Sequence, residues 1–269
     1  MRLLLCTGHA WAATTPMYYT LGYYNKYCHT GHRKENGYLW QLYLEHIRDI
    51  KQVISQYRII RKGLETHKGN HQLKLSPMPD DFSILDFYDR PFRIEKYIEY
   101  YKRVWDNVKN EYKAVADFST HNAGLSEEYL HKIKPKLLEH FDIQVIMVFR
   151  DPVRRHWSEN GGVHGNYAEN YQKYCNVFGK ENVHYVIMED FWSGETSELS
   201  KFLDYDIQQI SENVYWPLDN TVKPEHLSDQ WAGEKHLPLD MISLIREQLN
   251  PLYLQYEQII GKIPERWLV

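Results

Sequence analysis

Cysteine is scarce in this chain. Only Cys6, Cys28 and Cys175 occur, an odd number at unrelated spacings, which excludes a disulfide framework and a zinc-binding cysteine pattern. The expectation is three reduced thiols in a reducing compartment, the cytoplasm being the simplest. Long apolar runs are missing too: nothing approaches the roughly 18 consecutive apolar residues of a membrane span, so neither an embedded protein nor a single-helix anchor is expected. The start imitates a secretory signal, with an apolar run followed by Ala10-Trp11-Ala12. That run, Leu3–Cys6, is shorter than the ~7–15 residues such a signal needs, and it reads as a buried strand. Nor is there an excess of positive charge. Lys and Arg number 32 against 36 Asp and Glu, a net −4, which argues against broad non-specific binding to nucleic acid or to an anionic membrane. An anionic ligand has to be met by a local site.

What is present is ordinary globular material: 269 residues, 43% hydrophobic and 25% charged, enough to bury a core without staples. Apolar runs of strand length recur at Leu3–Thr7, Ala114–Phe118, Ile143–Phe149 and Val183–Met188, separated by segments of helical periodicity. This alternation predicts an α/β fold with a central, mainly parallel sheet flanked by helices. Apolar residues at helical spacing predict amphipathic helices over Tyr38–Leu64 and Ile94–Val108, with a surface excursion between Thr66 and Arg90 marked by Gly69, Asn70, Pro77 and Pro79. One domain over 1–269 is expected, its helical and loop excursion covering about 38–112.

The first strand runs into Gly8-His9-Ala10-Trp11-Ala12-Ala13-Thr14-Thr15, and Pro16, a good first helical residue, opens a helix-like run to Tyr24. Strand, loop and helix in this order make a phosphate cradle. On the pattern GxxxxGK[ST], Ala13 replaces the second glycine and Thr14 the lysine, so the cation that reaches a β/γ-phosphate is missing. Backbone amides and two hydroxyls at a helix N-terminus still suit a terminal phosphate-like group, though Thr14 and Thr15 also suit a simple helix cap. A second candidate follows the later apolar strand: Arg150-Asp-Pro-Val-Arg-Arg-His-Trp-Ser158. Arg150 at the carboxyl end of a parallel strand and a hydroxyl eight residues on can pinch one phosphate from two sides.

In this combination the sequence resembles the sulfotransferases that use 3′-phosphoadenosine 5′-phosphosulfate (PAPS). The resemblance implies a P-loop-like sulfotransferase fold and PAPS as co-substrate. It places the 5′-phosphosulfate on the first loop (His9, Trp11, Ala12, Ala13, Thr14, Thr15, Pro16) and the 3′-phosphate on Arg150 and Ser158. It continues in Val183–Phe191, similar to the family's strand ending in Glu-Asp-Leu, and in Leu249–Tyr253 with Trp267, similar to its closing helix. Gly233-Glu-Lys235-His236 is similar to a late basic loop that closes over the nucleotide, which makes Lys235 a further contact or else a solvated loop lysine. One departure is specific: the loop lysine of the family falls on Trp11 and its glycine on Ala13.

Thr30-Gly-His32-Arg33-Lys34-Glu35-Asn-Gly-Tyr38 resembles the Lys-Glu motif of the glycan-modifying enzymes of that family, heparan sulfate enzymes among them. The resemblance makes Glu35 the base that deprotonates the acceptor hydroxyl, with His32 the alternative base. Lys34, or failing it Arg33 or His32, then supplies the charge missing at Trp11. Without the resemblance, Lys34-Glu35 reads as the start of the next helix. Ser119, in Ala116-Asp-Phe-Ser119-Thr120, matches the family's Ser/Thr beside the reacting groups or caps a helix. No metal is assigned, because pairs such as His29/His32 and His67/His71 lack a third ligand in motif order. The expected partner is a hydroxyl-bearing acceptor, carbohydrate being one class, with no nucleic acid and no membrane. A P-loop kinase and a non-catalytic PAPS-binding module remain open as alternatives.

Overall fold

The structure, a computed structural model, describes residues 1–8, 14–31, 36–48, 51, 91–153, 167–208 and 239–267. Five strands form its centre: β1 (Arg2–Thr7), β2 (Cys28–His29), β3 (Ala114–Asp117), β4 (Asp142–Phe149) and β5 (Val183–Ile187). All pair in parallel, in the order β2-β3-β1-β4-β5. A parallel sheet covered on both faces makes its strands continuously apolar, and successive residues enter opposite cores. Leu3 and Leu5 of β1 join one core, Leu4 and Cys6 the other.

The first core is closed by α2 (Tyr38–His46), α3 (Ile94–Val108), α4 (Glu127–Leu138), α5 (Tyr167–Phe178) and α8 (Leu239–Ile260). On the second lie α1 (Thr14–Tyr18) with its π-helical continuation Tyr19–Tyr24, α6 (Met188–Trp192) and α7 (Ser197–Leu203). This division follows from crossover handedness. The chain moves one way across the sheet from β1 to β2, with α1 on the second face. It moves the other way in every later connection, with α2 to α5 on the first face. The neighbours β1 and β4 therefore send their chains off in opposite directions. The crevice outside their carboxyl ends is the switch point at which open α/β sheets bind ligands.

Several elements differ from the sequence reading. The first helix begins at Thr14 rather than Pro16, and Pro16 is accommodated because first-turn N–H groups have no intrahelical partner. β2 was not foreseen, since two residues carry no periodicity. The helix expected over Tyr38–Leu64 is broken after His46, where Arg48 takes a left-handed φ of 59°; residues 52–90, and with them the rest of that expected helix and the excursion Thr66–Arg90, lie outside the described residues. The break falls there because α2 packs on Tyr129 and on the 3₁₀ turn Thr120–Gly124, and Ile47, 48% exposed, has run past that support. β3 and β5 each stop one residue short of the expected run. None of the three cysteines is in a disulfide. No described helix is long and apolar enough to cross a membrane.

Candidate functional site

The pairing of β1 with β4 sets the geometry of the switch point. Thr7 is in register with Met147, so Gly8 stands level with Val148, two residues before Arg150. Gly8 is packed closely: a Cβ there would lie 3.1 Å from Thr14 Cγ2 and 3.5 Å from the Val148 carbonyl oxygen. The start of α1 is thus held against the end of β1 and beside the end of β4. The Thr7 hydroxyl is fully buried and has no hydrogen-bond partner among the described residues. Thr14, Thr15 and Pro16 make the first turn of α1; His9, Trp11, Ala12 and Ala13 lie outside the described residues.

At the end of β4, Phe149 is boxed by Tyr167, Tyr185 and Tyr256, with ring centroids 5.3, 5.6 and 5.4 Å away. That packing fixes the strand end from which Arg150, 3% exposed, extends. The next residue, Asp151, accepts hydrogen bonds on Oδ1 from the Tyr253 hydroxyl (2.5 Å) and from its own loop at Val153 N (3.0 Å). Its backbone N–H donates to Glu189 Oε1 at 3.1 Å, and Trp267 Nε1 donates to Glu189 Oε2 at 2.8 Å. Burial and then the charge of Asp151 push the Tyr253 phenol upward from its ordinary pKa, so it stays a proton donor to that carboxylate. Three segments singled out from the sequence therefore meet here: Arg150-Asp151, the Glu189-Asp190 pair after β5, and Tyr253 with Trp267. Ser158 and Lys235 lie outside the described residues.

The end of β3 carries a second network, of which sequence reading singles out Ser119 alone. Asp117 is fully buried and accepts from Tyr97 Oη (3.0 Å), Ser119 N (3.0 Å), Ser119 Oγ (2.5 Å) and Asn122 Nδ2 (3.2 Å). Burial raises its pKa, and the hydrogen bonds pull the other way. Ser119 stands at the N-cap position of the 3₁₀ turn Thr120–Gly124, as one reading of the sequence had it, but its side chain makes no capping hydrogen bond. Its Oγ instead accepts from Gly37 N at 2.8 Å and passes its own proton toward Asp117. One residue back, Asn36 Nδ2 donates to Tyr101 Oη (2.5 Å), and Tyr101 donates to the Ala116 carbonyl of β3 (3.1 Å). On the other flank Gly31 has φ +74°, and a Cβ there would overlap the Tyr100 hydroxyl. Gly37, at φ +62°, is the other left-handed glycine of the segment. Both flanks of the four residues His32, Arg33, Lys34 and Glu35 are consequently pinned to the carboxyl edge of the sheet; those four lie outside the described residues. Besides Ser119, a lone Asp closing an apolar run was the only signal in the sequence for this network.

Among the described residues no three His, Cys, Asp or Glu side chains are grouped so as to hold a metal ion. No protein-family profile and no curated protein sequence matches the chain. In structure it is similar to a sulfotransferase from Alicyclobacillus acidocaldarius, with a TM-score of 0.52 at 14% sequence identity over 100% of this chain and 99% of that one. At that identity the likeness is one of fold: a parallel α/β sheet of the sulfotransferase type.

Proposed function

We propose that the chain is a sulfotransferase that moves the sulfuryl group of PAPS to an acceptor hydroxyl on a glycan, working as one domain over 1–269 in the cytoplasm. The observation that carries this reading is a convergence at one sheet edge. Gly8 packed against Thr14, the buried Arg150 and the pinned flanks of the Lys34-Glu35 segment all stand at the carboxyl ends of β1, β4 and β3. The residues suit the nucleotide: the start of α1 held against Gly8, with the buried Thr7 hydroxyl just before it, for the 5′ side, and a buried guanidinium at the neighbouring strand end for the 3′-phosphate. In this reading the loop from His9 through Trp11, Ala12 and Ala13 to Thr14, Thr15 and Pro16 holds the phosphosulfate. Arg150 and Ser158 hold the 3′-phosphate, and Lys235 closes over it.

PAPS supplies the sulfuryl group, and this chain supplies position and proton transfer. Glu35, or His32 in its place, takes the acceptor proton as the new O–S bond forms and the S–O bond to the phosphate breaks. Lys34 offsets the charge left on that phosphate, a task the residue at Trp11 does not perform. A positioned base contributes ~10²–10⁴-fold. The test is transfer from labelled PAPS across an acceptor panel, with Glu35→Gln as the key variant. Turnover should fall by at least about a hundredfold while binding of adenosine 3′,5′-bisphosphate (PAP) is unchanged, because the amide keeps the shape and cannot take the proton. Trp11 in the place of the family's lysine favours one rival, a PAPS-binding module without turnover. PAP binding with no transfer to any acceptor would establish it.

A further inference from the structure

Along α5, Glu169, Asn170, Lys173 and Asn176 share one face, the positions that three- and four-residue spacing brings together. With the end of the 3₁₀ turn Thr120–Gly124 and the start of α4, this face bounds a groove of about 590 Å³, and Lys173 lies in its lining. Two hydrogen bonds tie α5 to the turn: the Tyr174 hydroxyl donates to the Asn122 carbonyl (2.7 Å), and Lys173 Nζ donates to the Ala123 carbonyl (2.8 Å). Nζ also donates to Asn170 Oδ1 at 2.7 Å. Both acceptors are uncharged. Among the described residues no carboxylate forms an ion pair with Lys173; Glu127 of α4 is engaged by Asn176 Nδ2 (3.2 Å) and His131 Nε2 (3.8 Å) instead.

This arrangement suits an amine better than an ammonium. A neutral Nζ has two N–H groups, and two acceptors are there to take them, which turns its lone pair to the remaining tetrahedral position. An ammonium brings a third N–H, with the Tyr174 ring, 5.6 Å away, as its further attraction. Burial acts in the same direction: it lowers the Lys173 pKa to about 8, against the pull of Glu169 and then Glu127. At pH 7 about a tenth of this side chain is then amine, against well under about a thousandth of an ordinary lysine. A lysine held in this way is a nucleophile toward carbonyl carbon. The two carboxylates select the carbonyl, because they oppose an anionic reagent and favour a cationic product. We propose that Lys173 is an imine-forming amine, at which small uncharged aldehydes condense with the protein. The Nζ lone pair attacks the carbonyl carbon, a C–N bond forms, and one N–H proton passes to the carbonyl oxygen. Loss of water, which carries off that hydroxyl and the second N–H proton, leaves a C=N bond. The imine nitrogen then takes a proton from solvent, and Glu169 and Glu127 stabilise that cation. This chemistry goes beyond the sulfotransferase reading and does not depend on it.

Reductive trapping on the full chain tests this, with propionaldehyde and cyanoborohydride as reagents and peptide mass spectrometry to read each lysine. At pH 7 Lys173 should be alkylated roughly tenfold faster than the exposed Lys102, the gain in amine fraction being partly offset by lower basicity and narrower access. Its rate should rise with pH and level off above about pH 8. Glu169→Gln should move that levelling to lower pH, because a carboxylate that favours the ammonium is gone. Glyoxylate, an anionic aldehyde, should show a smaller preference for Lys173 over Lys102. In the urea-unfolded chain the preference should vanish. The proposal is overturned if the folded chain labels Lys173 no faster than Lys102, or if the rate at Lys173 climbs without levelling. It is overturned as well if glyoxylate favours Lys173 more than propionaldehyde does, or if the preference survives unfolding.

Discussion

The β3 end of the sheet and the β4–β5 end each bury carboxylates beside the same crevice, and they put them to different uses. At β3, Asp117 collects four neutral donors, and through Ser119 and Asn122 it fixes backbone: the Gly37 amide on one side and the 3₁₀ turn on the other. At β4–β5, Asp151 and Glu189 are likewise occupied by neutral donors, from Tyr253, Val153, Trp267 and the Asp151 amide. There Asp151 directly follows a permanent cation, Arg150, in sequence. Burying a carboxylate among neutral hydrogen bonds builds a frame, because a misplaced partner leaves a charge unsatisfied. Setting a guanidinium at the end of a locked strand builds a receptor for an anion. The comparison assigns geometry to one side of the crevice and charge to the other.

The sharpest way to break that assignment is Arg150→Ala. PAP binding should weaken by roughly 2–5 kcal/mol, the cost of truncating one partner of a buried charge pair, while adenosine 5′-phosphate binds both forms equally by calorimetry. Equal losses for the two ligands would make Arg150 part of the frame instead. The converse change is Asp117→Ala. It strands the Tyr97 hydroxyl, the Ser119 amide and the Asn122 amide, and should lower stability in urea by about 3 kcal/mol while leaving PAP affinity within about twofold.

The smallest effect concerns Lys173, the one described cation hydrogen-bonded to the β3 turn. Its folded pKa, lowered to about 8 by burial, lies below the ordinary lysine value of 10.5. Between these values the unfolded chain binds more protons, so the contribution of this group to stability rises with pH through that window. Relative to Lys173→Met, wild-type protein should therefore gain stability from pH 8 to 10.5 in chemical denaturation. A flat difference would mean that Lys173 is solvated.

How far the sequence announced all this differs between the same two regions. The β4–β5 side was legible because its signals are local. The last five residues of β4, Val145–Phe149, are buried and make an unbroken apolar run, Arg150 follows it directly, and Glu189 and Trp267 stand in recognisable motifs. The parallel α/β fold was legible for the same reason. The β3 side was not, because its partners are remote: Asp117 bonds Tyr97 twenty residues back, and Ser119 bonds Gly37 eighty-two residues back. Nothing in Ala-Val-Ala-Asp marks the last residue as a hub. Tyr97 and Tyr101 read as core aromatics from their spacing, and burial is where that spacing put them; their hydroxyl bonds depend on tertiary packing that no periodicity encodes. Helix continuity was misread likewise, since the apolar spacing from Tyr38 runs on while the backbone breaks after His46.

The most direct measurement is calorimetric titration of the intact chain with PAP, adenosine 5′-phosphate and ATP with magnesium. A crevice with its phosphate turn on β1 and its guanidinium on β4 predicts that PAP binds at least about tenfold more tightly than adenosine 5′-phosphate, since the 3′-phosphate adds a charge-assisted contact worth about 1.5–3 kcal/mol. It also predicts no advantage for ATP with magnesium. Equal affinity for PAP and adenosine 5′-phosphate, or a preference for ATP with magnesium, would contradict it.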